Sequence, residues 1–451
     1  MYSQTSISLD LMSDTAKRRN LVNLTPLKEV PAFARLWWGS LLSGLGSQLT
    51  LVAVALLIYD ITHDTGAVAL VGGIALIPMV LSGPIGGMIA DAFERRLVMI
   101  LSAIVMFIST AGLLAVSLLE EFAKLGGYHV PVWPIYVSTT IAAVSATVLG
   151  SARHASIPRI LPKELITKAS ALNGISMGTQ VMVGPALAGV LVAIADFPVV
   201  FAADLLLSAT GFLGIINLPK IHVAEDATRP GWKSFKESII YLKDYPVIGA
   251  GFIVDIFAMV LGRPYVLLPA AAAAVVGGGP ITVGIITAAG AAGSFSTSAL
   301  SGRLTGIRHQ GLAIANSVKV YGAFVALFGA VLLVMQTGIF GHPGNTIETA
   351  NYVALAIAAL AFYGMGASDE VSAIFRTSMM QTAAPDHLRG RLIGLFISVV
   401  GGGPRLGDVY AGVMATLIAL WAGPIFGGIG IIVAMFLILR LNPTFRDYVT
   451  D

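Results

Sequence analysis

Between Asp64 and Asp91 the chain runs twenty-six residues without a charged side chain. As a helix rising 1.5 Å per residue, such a run exceeds the ~20 residues needed to cross a hydrocarbon core of about 30 Å. It ends in Gly87-Met-Ile-Ala-Asp91-Ala-Phe-Glu-Arg95-Arg96, which sets an acid and two arginines at a membrane surface, with a glycine one turn before the acid. Composition agrees: 56% of residues are hydrophobic, 11% are charged, and the mean hydropathy is +0.85. A soluble globular chain carries roughly 25% charge, so this one lacks the polar surface to cover itself in water.

Apolar runs between charges predict twelve spans, near 33–59, 66–90, 97–119, 134–152, 166–194, 197–218, 246–270, 280–302, 310–336, 350–372, 392–418 and 421–440. The expected fold is an all-α membrane protein of two six-helix bundles. Residues 1–30 form a cytoplasmic tail, 31–219 the first bundle, 220–244 a charged linker, 245–440 the second bundle and 441–451 a short tail. The first thirty residues hold no apolar core of the kind a cleaved signal peptide requires. Of 27 Lys and Arg, twenty-three fall on one side of these spans, Lys124 falls on the other, and Arg263, Lys319 and Arg405 lie inside them. The positive-inside rule then puts both termini in the cytoplasm of an inner or plasma membrane.

A repeat crosses the linker. At an offset of 223, Arg153 falls on Arg376, Pro162 on Pro385, Gly184 on Gly407 and Gly189 on Gly412, in equivalent loop-plus-span units. Such parallel halves are one way secondary transporters are built, with the substrate site near mid-depth between them.

The G-x-x-x-D-x-x-x-R-R turn resembles the signature loop of the major facilitator superfamily of secondary transporters, apart from Ala92, where a basic residue is usual. Gly184-Pro185 with Gly189, and Gly403-Pro404-Arg405-Leu406-Gly407, resemble that superfamily's antiporter motif, although Gly189 comes one residue late. Pro26 to Phe33, Gln381 to Arg391, Asp255 and the Gly402–Asp408 stretch resemble its enterobactin-exporter branch, which also holds macrolide and drug exporters. The resemblance implies alternating access. Gly87, Asp91, Arg95 and Arg96 would lock the cytoplasmic gate, and the glycines and prolines of spans five and eleven would let the halves rock past each other.

Charges at membrane depth cost about 2.5–3.5 kcal/mol each by insertion scales, so they invite a function. The candidates for a substrate or ion pathway are Asp255, Arg263, Arg405, Asp408, Lys319 and Asp204. Arg405 and Asp408 are three apart and can neutralise each other, and Lys319 can serve a carboxylate structurally. Asp369 and Glu370 are expected to pair with Arg376 near the inner surface, beside Arg389 and Arg391. No histidine falls inside a predicted span, so a proton carrier would be a carboxylate, with Asp255 first. Many proton-coupled relatives carry an arginine in span four, and none lies in 134–152.

The expected activity is export, coupled to protons, of a siderophore or a similar small anionic or polar molecule. A multidrug or macrolide pump is the alternative on the same fold, and a transport-inactive receptor or assembly factor comes from a different class. No Walker motif, metal cluster or nucleophile–base pair suggests an enzyme or a cofactor, and nothing implies nucleic acid or an obligate protein partner. Without cysteine the chain has no disulfides.

Overall fold

In a computed structural model the described residues are 24–219, 246–301, 307–340, 346–383 and 386–449, together with Tyr245, Pro343 and Gly344. Backbone alone is described for 80, 83–88, 90–92, 167, 171, 380–383, 386–398 and 400–401. Among these residues every named element is helical, and the only bridge between extended residues joins His309 and Val449.

In chain order the helices are α1 (Thr25–Glu29), α2 (Pro31–Thr62), α3 (Thr65–Ala92), α4 (Arg95–Leu125), α5 (Trp133–Ile160), α6 (Lys163–Ile216), α7 (Pro246–Leu261), α8 (Leu268–Ala274), α9 (Gly279–Ala299), α10 (Gln310–Gln336), α11 (Tyr352–Ala383), α12 (Asp386–Leu417), α13 (Ala422–Leu441) and α14 (Pro443–Arg446). Nine helical stretches among the described residues are long and apolar enough to cross a membrane. Exposed Leu, Ile, Val and Phe are spread along them, as expected of surfaces that face lipid.

Local chemistry sets the boundaries. Asp64 caps α3, its Oδ1 accepting from the Gly66 amide at 2.8 Å, so the charge that opens the uncharged run also starts the helix. α6 turns at Asp196, which takes φ 65°, a left-handed conformation uncommon outside glycine. Pro198 follows and withholds an amide, so the 54-residue helix is two pieces that meet where the apolar pattern breaks.

Three placements correct the sequence reading. α5 continues to Ile160 and α11 to Ala383, which carries Arg153 and Arg376 inside helices rather than into loops. His154 lies in a helix for the same reason, on an exposed face. A charge ends an apolar run but not a hydrogen-bonded helix, because a long cationic side chain can reach a polar partner. The third correction concerns 246–270, which is not one helix. α7 stops at Leu261, a 3-10 turn covers Tyr265–Leu267, and α8 follows. Arg263 stands in this break, between Gly262 and Pro264. The Tyr321 hydroxyl of α10 donates to the Gly262 carbonyl at 2.6 Å and satisfies a group the missing turn would leave bare.

Helices before residue 220 meet those after residue 244 along two seams, α3 against α12 and α6 against α9. Among the described residues, close glycine contacts across them lie towards the end of the molecule marked by Thr65, Asp196 and Gly279. At Gly72 an added Cβ would stand 3.0 Å from Asp408 Cβ, and at Gly189 it would strike the Pro280 carbonyl and the Gly284 backbone. Helices can come this close only where at least one of the facing residues carries no side chain.

Candidate transport site

Three charge clusters arise from the helix packing, the first and third buried and the second partly exposed. In the first, Asp255 lies nine residues into α7, about 14 Å along it, and is 0% exposed. Arg376 of α11, 6% exposed, brings Nη1 to 2.5 Å from Asp255 Oδ1, and its Nη2 lies 3.6 Å from Asp369 Oδ1. The short contact is badly angled, and neither Asp255 oxygen accepts a hydrogen bond among the described residues. This is charge neutralisation without hydrogen-bond satisfaction. Glu370 does not join the cluster. Its Oε1 accepts from Ser298 Oγ of α9 at 2.6 Å.

The second cluster surrounds the α7–α8 break. Arg405 Nη1 lies 3.8 Å from Asp408 Oδ2, one turn along α12. Gly407 turns between them towards Arg263, so closely that an added Cβ would sit 3.2 Å from Arg263 Cβ. The Arg263 guanidinium lies 4.8 Å from the centre of the Tyr265 ring, and its buried Nε has no hydrogen-bond acceptor among the described residues. Two guanidiniums and one carboxylate leave this cluster with a net positive charge beside Gly72 of α3.

The third cluster holds Asp204, 2% exposed in the second piece of α6. Thr50 donates to its Oδ2 at 2.6 Å and Thr110 at 3.3 Å, while Ser208 donates to Oδ1 at 3.0 Å. Hydroxyl donors stabilise a carboxylate without a cation. Lys319, the remaining charge at depth, rests 4.6 Å from the Phe436 ring centre and makes no ion pair among the described residues, so its partner is aromatic rather than acidic.

The predicted gate is described only in part. Arg95 Nη1 donates to the Ala155 carbonyl and Arg96 Nη2 to the Ile216 carbonyl, each at 2.7 Å. The side chain of Asp91, the surroundings of Gly87, and the side chains of Arg389 and Arg391 lie outside the described residues. Of the motif positions in α6 and α12, Gly184 faces Gln48 of α2, and the Pro185 carbonyl lies beside Gly284 of α9. Gly403 and Gly407 face Met259 of α7, and Pro404 lies inside α12. What sequence reasoning missed is Ser40 of α2, whose hydroxyl accepts from Arg153 Nη1. Its signal is a matched register. Pro31 and Pro246 each open a helix, and Ser40 and Asp255 each lie nine residues on.

Residues 22–447 match the family described as transmembrane secretion effector, within the major facilitator superfamily, and the chain belongs to that family. It is 24% identical over 436 residues to the enterobactin exporter EntS of Salmonella choleraesuis, across 95% of this chain and 96% of that protein. To the enterobactin exporter EntS of Citrobacter koseri it is 25% identical over 438 residues, across 95% and 96%. A D-xylose-proton symporter superposes with a TM-score of 0.66 at 14% identity, over 93% of this chain and 99% of that one. A bacterial homologue of the iron transporter ferroportin, in an inward-facing state, also gives 0.66 at 14%, over 91% and 98%. The likeness to these two structures concerns the fold. The chain is therefore a multi-pass inner-membrane transporter of exporter type, acting on a small molecule, and not an enzyme.

Proposed function

We propose that the chain exports a siderophore or a similar small anionic, oxygen-rich molecule by alternating access, driven by protons. On this reading the helices make twelve spans, with α6 counted as two and α7 with α8 as one broken span. They form two bundles joined by 220–244, with both termini in the cytoplasm. The Thr65 end is then the outer end, and its glycine seams are the closed outer gate. Gly87, Asp91, Arg95 and Arg96 belong to the inner gate.

The observation that carries the cargo class is the net positive charge of Arg263, Arg405 and Asp408 at the break between α7 and α8. A guanidinium is a rigid fork suited to carboxylate, catecholate or hydroxamate oxygens, and it repels the amines of macrolides. Arg263 is the better ligand of the two, because Arg405 already faces Asp408 and Arg263 Nε has no acceptor among the described residues. The similarity to enterobactin exporters supports the same class.

The test is Arg263→Ala in an exporter-deletion host, with secreted siderophore and macrolide resistance measured at matched protein levels. Siderophore release should fall about tenfold or more, as for loss of one charge-assisted contact, while macrolide resistance stays unchanged. Loss of macrolide resistance with siderophore release intact would make the chain a drug pump.

A further inference from the structure

The two repeats bring equivalent positions together but fill them differently. Ser40 and Asp255 are 215 residues apart, as are the prolines that open their helices, while Arg153 and Arg376 are 223 apart. In each repeat the arginine of the fourth helix reaches this tenth position of the first. In the second repeat it finds a carboxylate, Asp255. In the first, among the described residues, it finds the hydroxyl of Ser40, which accepts a hydrogen bond and neutralises nothing. No carboxylate lies within ion-pair distance of Arg153 among the described residues.

A guanidinium held among helices without a counter-charge is costly, and it remains only where something compensates it. The buried acid of the same set of helices does not: Asp204 takes three hydrogen bonds from Thr50, Thr110 and Ser208 and makes no ion pair among the described residues.

Arg153 instead lines a small cavity, open to the outside, between α2, α4, α5 and α6. Ser40 and Ser43 stand beside it, and Met99, Met106, Leu149 and Phe212 supply apolar walls. One cation, three hydroxyls (Ser40, Ser43 and Ser208, the last engaged by Asp204) and a lining of thioether, aliphatic and aromatic groups match an anionic head with an apolar body.

We propose that this cavity is an anion-binding site, in which a carboxylate or phosphate oxygen takes the place of the acid that Asp255 provides in the second repeat. The anion sits on Arg153 and Ser40, and an attached chain runs along Met99, Leu149 and Phe212. The site lies inside the first repeat, away from Arg263, and stands whether or not the exported cargo is a siderophore. A membrane lipid's phosphate and a free phosphate share the head chemistry.

Full-length protein in a neutral maltoside detergent is titrated calorimetrically with dodecyl phosphate, inorganic phosphate and dodecyltrimethylammonium. Dodecyl phosphate should bind the wild type saturably. Arg153→Gln should weaken it about tenfold or more, the loss of a charge-assisted contact. Ser40→Asp should do the same by supplying an internal carboxylate, and it should leave the unfolding temperature equal or higher. This second variant decides the matter if Arg153→Gln does not fold. Binding of inorganic phosphate as well supports the site as one for free anions. Binding of dodecyl phosphate alone supports it as one for an amphiphile such as a lipid. Equal affinity of dodecyl phosphate for all three proteins overturns the site, as does equally tight binding of dodecyltrimethylammonium or no binding of either phosphate.

Discussion

The Asp255–Arg376 contact makes a quantitative prediction through a double-mutant cycle of Asp255→Asn, Arg376→Gln and the pair together. Both side chains are withdrawn from solvent, and their charged atoms lie 2.5 Å apart. With charge centres about 4 Å apart and an effective dielectric near 20, their attraction is about 4 kcal/mol. Removing one member of a buried pair typically costs about 3–5 kcal/mol, because the other is stranded. The lower end applies, since neither Asp255 oxygen accepts a hydrogen bond that could be lost. Each single variant should therefore lose about 3 kcal/mol, and the double variant only about 2 kcal/mol, because nothing charged is left stranded.

The singles should also differ in a definite direction. Asp255→Asn leaves Arg376 with Asp369, half-exposed and 3.6 Å away, whereas Arg376→Gln leaves Asp255 with no cation among the described residues. Arg376→Gln should be the worse of the two. The assay is reversible unfolding in mixed micelles titrated with dodecyl sulfate, followed by circular dichroism. If the double variant loses the sum of the singles, about 6 kcal/mol, the two charges do not stabilise each other and the cluster is misread.

Three other perturbations bear on transport. Asp255→Asn should abolish uphill export driven by a pH gradient in vesicles while downhill leak continues, since an amide carries no proton; uphill export that survives passes the coupling role to Asp408. Gly189→Val should wedge α6 from the Pro280 carbonyl and the Gly284 backbone of α9 and hold the Thr65 end open. The native chain has no cysteine, so Val192→Cys can report this by a rise in maleimide labelling from that side, and unchanged labelling would mean the seam tolerates the wedge. Asp91→Asn should lower flux without lowering the amount of folded protein, and wild-type flux would remove Asp91 from the gate.

Much of this architecture could be read from charge spacing alone. The uncharged run after Asp64 became α3 with Asp64 as its cap, and the change at 194–197 became the left-handed turn at Asp196. Helix ends were less legible, because apolar runs stop at the first charge. Arg153 and Arg376 were set in loops for that reason, although Ser40 and Asp255 wait for them on neighbouring helices. The break at Gly262-Arg263-Pro264 was in plain view as a glycine and a proline around a charge. Membrane helices accommodate such residues often enough that the pattern does not decide between a kink and a gap. Which acid meets which base was not legible at all. Asp369 and Arg376 are about two turns apart on α11, yet the tighter partner is Asp255, 121 residues earlier in sequence.

Where the charges pair has a consequence for the proposed alternation. Asp255–Arg376 and Arg405–Asp408 both join residues that lie after the linker, and the Asp204 hydrogen bonds join residues that lie before it. The seams between the two sets of helices are made instead by Gly72 against Asp408 Cβ and Gly189 against Gly284. Opening such a seam breaks van der Waals contacts, each about 0.1–0.2 kcal/mol, and need not break either of these ion pairs. Lipid or cargo can refill those contacts, so the two gate states can lie within a few kcal/mol of each other. Turning a 1:99 balance into 99:1 takes about 5.5 kcal/mol of differential binding. Neutralising Asp255 removes an attraction of about 4 kcal/mol inside one set of helices, most of that amount. A proton that releases Arg376 from α7 therefore carries enough free energy to bias the seams, provided α7 shifts against α12 when it is released.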